Sequence, residues 1–326
     1  MATVEGTKYA GKVHYLSDEV RHFKWDNSLA PALTVDSGDI VTIKCREGAD
    51  GQVTPESTVD AMKNLDWDRV HSLTGPIAVR GAEPGDALAV EILDFEHEGW
   101  GFTVFHPYGG ILVDDFGDTW ALKIWTVDED GRAELVPGVR VPIDPFCGVM
   151  GVAPAEPGRH STMPPRPVGG NIDIRHLKKG STAFFPIEVP DALFSVGDCH
   201  LAQGDGEICS TAIEAPLTVT VRLTLQKGRN LPSVQYLTPP GSTTAKYESE
   251  GYFATTAMGV DLHENVCVAA RSMIDWLEAE HGLSRVDGYF LCSVAGDLKI
   301  AVPVVQEGHQ ACVCFHMPLN VFVGGS

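Results

Sequence analysis

The feature that most restricts how this chain can fold is the repeated launch of an alternating strand from a Gly-Asp turn. Asp36-Ser-Gly-Asp-Ile-Val-Thr-Ile-Lys-Cys45 and Glu83-Pro-Gly-Asp-Ala-Leu-Ala-Val-Glu-Ile92 each place a turn before a period-two apolar pattern. They read as equivalent turns of a β-sandwich, not as a tandem repeat. Further strands are expected at Ile111–Val113, Ala121–Val127, Ala183–Val189, Ala192–Leu201, Glu207–Ala215 and Leu217–Gln226, then at Gly288–Val294, Leu298–Val305 and Ala311–His316. No strand–helix–strand rhythm appears, which argues against a dinucleotide-binding fold.

Helices are few. A short one is expected over Ser57–Trp67, with Ser57 and Asp60 as a capping pair. A long one begins at the Asp261/Glu264 capping box; Val266, Ala269, Ala270, Met273, Trp276 and Leu277 recur at helical spacing, and Gly282 stops it. The expected class is α+β, mainly β: a β-sandwich core with an added α+β layer that contains the long C-terminal helix. With 326 residues, two parts are expected, a sandwich-like 1–150 and an α+β part 151–326 that carries the polar motifs.

Charge narrows the partners. The chain has 24 basic and 44 acidic residues, a formal net charge of −20, so nucleic acid and anionic membranes are poor partners and a neutral or cationic small molecule is a better one. Eight cysteines are spread without a Cys-x-x-Cys and mostly inside apolar runs, where a reduced thiol packs as a small hydrophobe. Met1–Ala10 is polar and no apolar run reaches membrane-spanning length, so a cytoplasmic protein is expected.

The chemistry concentrates in Val168-Gly-Gly-Asn-Ile-Asp173 and Val196-Gly-Asp198-Cys-His200-Leu-Ala-Gln203-Gly-Asp-Gly-Glu207, which follow a Pro- and Gly-rich loop over Val152–Pro167. Ionisable groups among glycines and short apolar runs are tolerated inside a protein when they are paired or bound to a cation. Asp198 and His200 are two apart in a run of strand character and so share a face. A hairpin with an even-length loop would add Glu207 and Cys209 to that face. Asp173, Asp198 and His200 then become candidate metal ligands, suited to Zn²⁺, with Ca²⁺ as an additional or alternative ion. A divalent ion lowers the pKa of bound water to about 7. Glu207 becomes the candidate proton shuttle, and Asn171 or Gln203 the donor to a developing oxyanion. The plainer reading is turn chemistry, since Gly-Asp-x-His and Gly-Asp-Gly are common turn compositions, and Asp205 fits it best.

These segments, together with Thr211-Ala-Ile-Glu214, resemble the acetamidase/formamidase family. Leu73-Thr-Gly-Pro-Ile-Ala-Val-Arg-Gly-Ala-Glu-Pro-Gly-Asp86 is similar to that family's N-terminal signature. Met273-Ile-Asp-Trp-Leu277 and Ser293-Val-Ala-Gly-Asp-Leu298 are similar to its C-terminal one. The resemblance covers nearly the whole chain. It implies a metal-dependent hydrolase of short-chain amides that releases ammonia and a carboxylate, a sandwich-containing α+β fold and a homo-oligomer. It supports Asn171, Asp173, Asp198, His200 and Glu207 as site residues without saying which of them touch the metal. Two segments depart from the pattern: His71-Ser72-Leu73 stands where the family has Asn-Pro before Thr-Gly-Pro, and His106-Pro-Tyr-Gly-Gly110 is unusual. If these line the pocket, His71 and His106 are specificity residues or extra ligands; a lone histidine otherwise reads as a surface or satisfied core residue. Asp50 and Gln52 can reach the site or simply make a turn.

Rival nucleophiles are weaker. Cys199 would point away from Asp198 and His200 on a strand, Ser242 and Lys246 make only a loose Ser/Lys pair, and no Gly-x-Ser-x-Gly elbow exists. The reading from a different class is a noncatalytic β-sandwich whose ion stabilises loops for binding a small ligand.

Overall fold

The computed structural model describes residues 2–4, 7–9, 11–240, 250–302 and 311–323. The two Gly-Asp turns are built alike. Gly38 and Gly85 have φ of +93° and +92°, a region glycine enters without a Cβ penalty. In each turn the following aspartate closes the loop: Asp39 Oδ2 accepts the Asp36 N–H at 3.1 Å, and Asp86 Oδ2 accepts the Glu83 N–H at 2.9 Å. From them start Asp39–Cys45 and Ala87–His97, both central strands of a six-stranded sheet.

That sheet runs Gln235–Leu237, Thr182–Pro186, Ala87–His97, Leu217–Gln226, Asp39–Cys45, Val13–Leu16. A seven-stranded sheet runs Pro165–Arg166, Gly169–Asn171, Phe146–Gly151, Phe194–His200, Leu73–Val79, Arg21–His22, with Leu33–Val35 also on Leu73–Val79. Val41, Ile43, Val90 and Val221 of the first sheet share one apolar core with Ile77, Met150, Phe194 and Val196 of the second. Each such side chain contributes about 1.5–3 kcal/mol by leaving water. The sandwich expected from the turns is therefore present. Both sheets, however, take strands from either side of residue 150, so the expected division there does not separate one sheet from the other.

A third layer follows. Tyr252–Gly259, Ala311–Pro318 and Asp297–Val302 form an antiparallel sheet, the remainder of the strand expected to Val305 lying outside the described residues. The long helix is Leu262–His281; Asp261 caps it by accepting the Glu264 N–H at 2.9 Å, and Gly282 ends it at φ +67°. Among the described residues no helix is long and apolar enough to cross a membrane.

Several expected elements differ. Gly288–Val294 lies in a helix, Arg285–Ala295, not a strand: Ser284 Oγ accepts the Asp287 N–H at 3.1 Å, and every residue from Gly288 to Ala295 is buried, so no polar stripe marked the helical period. Ile111–Val113 is no strand either; Val113 opens a single helical turn to Phe116. The helix expected over Ser57–Trp67 is shorter, Val59–Lys63, with Thr58 at its N-cap, while Ser57 Oγ instead accepts the Thr54 N–H. Glu207–Ala215 is a chain of turns in which Glu207 and Ser210 have φ of +43° and +67°, incompatible with a continuing strand.

Candidate active site

Asp198 and His200 end the strand Phe194–His200, which pairs with Phe146–Gly151 so that Cys147 faces Cys199 and Val149 faces Gly197. This register puts Gly148 beside Asp198. The Gly148 carbonyl in turn accepts the N–H groups of Ile172 and Asp173, at 3.1 and 3.2 Å, and draws Asp173 to the same point. A Cβ on Gly148 would stand 2.5 Å from Asp173 Oδ1, 2.8 Å from His200 Cε1 and 3.0 Å from Asp198 Oδ2. Only glycine lets these three groups converge.

The hairpin expected to bring in Glu207 is not the route taken. His200 bridges to Glu214 across the sheet, and Glu207 returns through the turns after Gln203. Both carboxylates reach the same imidazole: His200 Nε2 is 3.1 Å from Glu214 Oε2, 3.7 Å from Asp198 Oδ1 and 4.0 Å from Glu207 Oε1. Cys209, expected on this face, is buried elsewhere, its thiol directed at the Val104 and Thr211 carbonyls. Asp173, Asp198 and Glu207 all have left-handed backbones, at φ +46°, +50° and +43°. Such a conformation costs on the order of 1–3 kcal/mol for a non-glycine residue and persists only where the surroundings impose it.

Gln203 uses both ends of its amide within the protein. Its Oε1 accepts from His200 Nδ1 at 2.9 Å and its Nε2 donates to the Asp173 carbonyl at 2.9 Å. It is a positioning residue: with Nδ1–H committed, His200 offers Nε2 to the centre. Asn171 lines the cleft; its Nδ2 donates to the Met163 carbonyl at 3.2 Å, and its Oδ1 is buried without a partner among the described residues.

Electrostatics follow from crowding. Burial, then repulsion from Asp198, pushes the Asp173 carboxyl up to about 8. Burial and the Asp173 charge likewise hold Glu207 well above the usual carboxylate range, and burial raises Glu214. For Asp198 burial acts upward, but His71 and His200 overcome it and hold the group below its ordinary value. Burial would lower His200, yet Glu214 and Asp198 keep it well above 6.5. Asp173 Oδ1 is buried with no hydrogen-bond partner among the described residues, while Glu214 Oε2 is buried against His200 Nε2. Two sets, Asp173–Asp198–His200 and His200–Glu207–Glu214, have their donor atoms within 4.8 Å of one another. Spare lone pairs, mutual repulsion and one oriented imidazole fit a divalent cation.

With His200 buried behind them, Asp173, Asp198, Glu207 and Glu214 line a cleft of about 190 Å³. His71 lines it, with Nε2 3.8 Å from Asp198 Oδ2, and so does His106. Asp50 does not; Arg21, Arg69 and Ser72 hold its carboxylate below the cleft wall, while Gln52 bonds to Ala49 and Asp66. Asp205 pairs with Arg175 at 3.3 Å, in keeping with a turn residue. Cys199 packs against Cys147, Sγ to Sγ 3.2 Å, away from the cleft, and all eight cysteines are free. Ser242 and Lys246 lie outside the described residues. Glu214 was overlooked as a site residue although Thr211-Ala-Ile-Glu214 stood out: a carboxylate after three uncharged residues has no spacing signal toward a histidine fourteen positions earlier.

Carboxylates and an imidazole gathered beside a cleft in a mostly β protein form a buried polar cluster with the donor set to hold a divalent cation. The chain belongs to the Acetamidase/Formamidase family, whose sequence model matches residues 11–161 and 157–323. It is 32% identical over 270 residues to an acetamidase of Mycolicibacterium smegmatis, covering 64% of this chain and 66% of that protein. It is also 32% identical over 242 residues to a formamidase of Methylophilus methylotrophus, covering 57% of this chain and 59% of the relative. Among solved structures, a gamma lactamase from Delftia acidovorans superposes with a TM-score of 0.84 at 25% identity, over 94% of this chain and 91% of the other.

Proposed function

We propose that this chain hydrolyses the C–N bond of a carboxamide with water, giving a carboxylate and ammonia, at a divalent cation held by Asp173, Asp198 and His200. The observation that carries the reading is the convergence of these groups with Glu207 and Glu214 at the floor of the cleft. When bound, the ion supplies Lewis acidity and a lowered pKa for water. Zn²⁺ suits the imidazole, and Ca²⁺ is the alternative for the carboxylates.

The chain's own groups then have distinct tasks. Gln203 keeps His200 Nε2 turned to the centre. Glu207, its side chain still 16% exposed and so open to the cleft, would in its ionised form, which a bound cation favours, take a proton from water and return it to the departing amine. Asn171 has a second amide hydrogen for the developing oxyanion and an unpartnered Oδ1 for the substrate N–H. Formamide, acetamide and propionamide are the first substrates to assay. The likeness to a gamma lactamase adds a cyclic amide to that set. The reading includes a homo-oligomer, which sedimentation velocity checks.

The test is ammonia release. Chelator should abolish it and one divalent metal should restore it, and Glu207→Gln should lower kcat about 10²–10⁴-fold, the ordinary contribution of a proton-transfer group. Full activity after complete metal removal, or an unimpaired Glu207→Gln, overturns the mechanism.

A further inference from the structure

The cleft has two unlike surfaces. Its floor is the carboxylate–imidazole centre; its wall is Met62, Leu65, Trp67, Phe102 and Val104, with the His106 ring among them. A volume of about 190 Å³ corresponds to roughly six waters at about 30 Å³ each, more than an ion and formamide occupy. The remaining space is bounded mainly by apolar side chains, with Ser210 and Thr211 also on the lining, and a one-carbon acyl group would leave that apolar surface wet.

Aromatic rings gather where the wall reaches solvent. Trp67 stands on the short turn Trp67–Arg69, which Asp66 caps by accepting the Asp68 N–H at 3.1 Å. Trp67 is 44% exposed although it lines the cleft. His106 meets Trp67 edge-on at 5.5 Å, and Trp120 and Tyr108 lie 5.8 and 6.1 Å from the same imidazole. Burial lowers the His106 pKa from 6.5, so the ring is neutral at pH 7 and the wall is uncharged. Its Nδ1 accepts the Tyr108 N–H at 3.2 Å, which fixes the ring plane beside Trp67. Exposed tryptophan beside a fixed neutral ring is the surface that recognises another flat apolar group.

We propose that the substrate is an amide of an aromatic acid, whose ring lies against Trp67 and Phe102 while its carboxamide reaches the carboxylate–imidazole floor. Trp67 is the specificity-determining residue. This rests on the amide-hydrolase reading above. The reaction consumes one water and gives an aromatic carboxylate and ammonia.

The experiment compares kcat/KM for acetamide, benzamide and phenylacetamide in wild type, Trp67→Ala and Trp67→Phe, and measures benzamide binding to metal-depleted protein by calorimetry. Benzamide or phenylacetamide should exceed acetamide at least tenfold. Trp67→Ala should reduce that ratio at least tenfold and weaken benzamide binding similarly, and Trp67→Phe should retain most of both. Acetamide preferred over both aromatic amides, or Trp67→Ala changing every substrate by the same factor, overturns the proposal and leaves amide hydrolysis standing. Hydrolysis of none of the three overturns this proposal, and inertness toward formamide, propionamide and a cyclic amide as well overturns the amide-hydrolase reading with it.

Discussion

Gly148 decides whether the centre can assemble. An alanine there keeps a permitted backbone, since its φ is not in the left-handed region, but its methyl group occupies the point where Asp173, Asp198 and His200 meet. Gly148→Ala should weaken cation binding at least about tenfold to a hundredfold, the range seen when groups around a metal site are disturbed; metal content of the purified variant measures it. Glu47 offers a different test. It is buried with Oε2 unpartnered among the described residues, and burial pushes its carboxyl from 4.5 up to about 7. Between those values the folded chain holds a proton that the unfolded chain has lost. Stability therefore falls as pH rises through that window, by about 3 kcal/mol in all, and is fully present below it. Glu47→Gln, the shape of the neutral acid, should flatten the stability profile between pH 5 and 8, followed by thermal melting; an unchanged slope discards this role. At this scale the carboxylates and His200 were legible as a candidate buried polar set, because ionisable groups amid glycine and valine need a partner or a cation once they are inside, although turn chemistry fitted the same spacing. Their partners were not. Gln203 lies between His200 Nδ1 and the Asp173 carbonyl, and Glu214 arrives by a bridge; no local spacing encodes either pairing.

Elements with a polar face or a cap on each end were readable. Leu217–Gln226 and the long helix appear where alternation and the Asp261/Glu264 box put them. Arg285–Ala295 was misread because it is buried all round, and an apolar run has no period to separate helix from strand. Its one local signal was Ser284 three residues before Asp287. Ser284→Ala should therefore cost about 1 kcal/mol in chemical denaturation, with the fold retained; a change within error would mean that packing of Tyr289 to Ala295 alone holds the helix. The turns between Gln203 and Glu214 escaped for the opposite reason. Their apolar residues, Ile208, Cys209 and Ile213, suggest a strand, but the left-handed backbones of Glu207 and Ser210 turn the chain toward His200.

Across the whole molecule, the two sheets are woven from both halves of the sequence. Asp39–Cys45 is paired with Leu217–Gln226, and Leu73–Val79 with Phe194–His200. Central strands of either half therefore leave open edges when the other half is missing. Expressed alone, 1–150 and 151–326 should each lack the sheet signal of the intact chain in circular dichroism, and the intact chain should melt in one calorimetric transition. Two separable transitions would contradict this. The weave also bears on how this chain can change. A cut in the middle of the chain would interrupt both sheets at once, so a change of specificity that keeps the fold has to be made in the cleft wall of an undivided chain. The turn bearing Trp67 lies outside both sheets and is free to change, while the strand bearing Gly148 is paired on both sides.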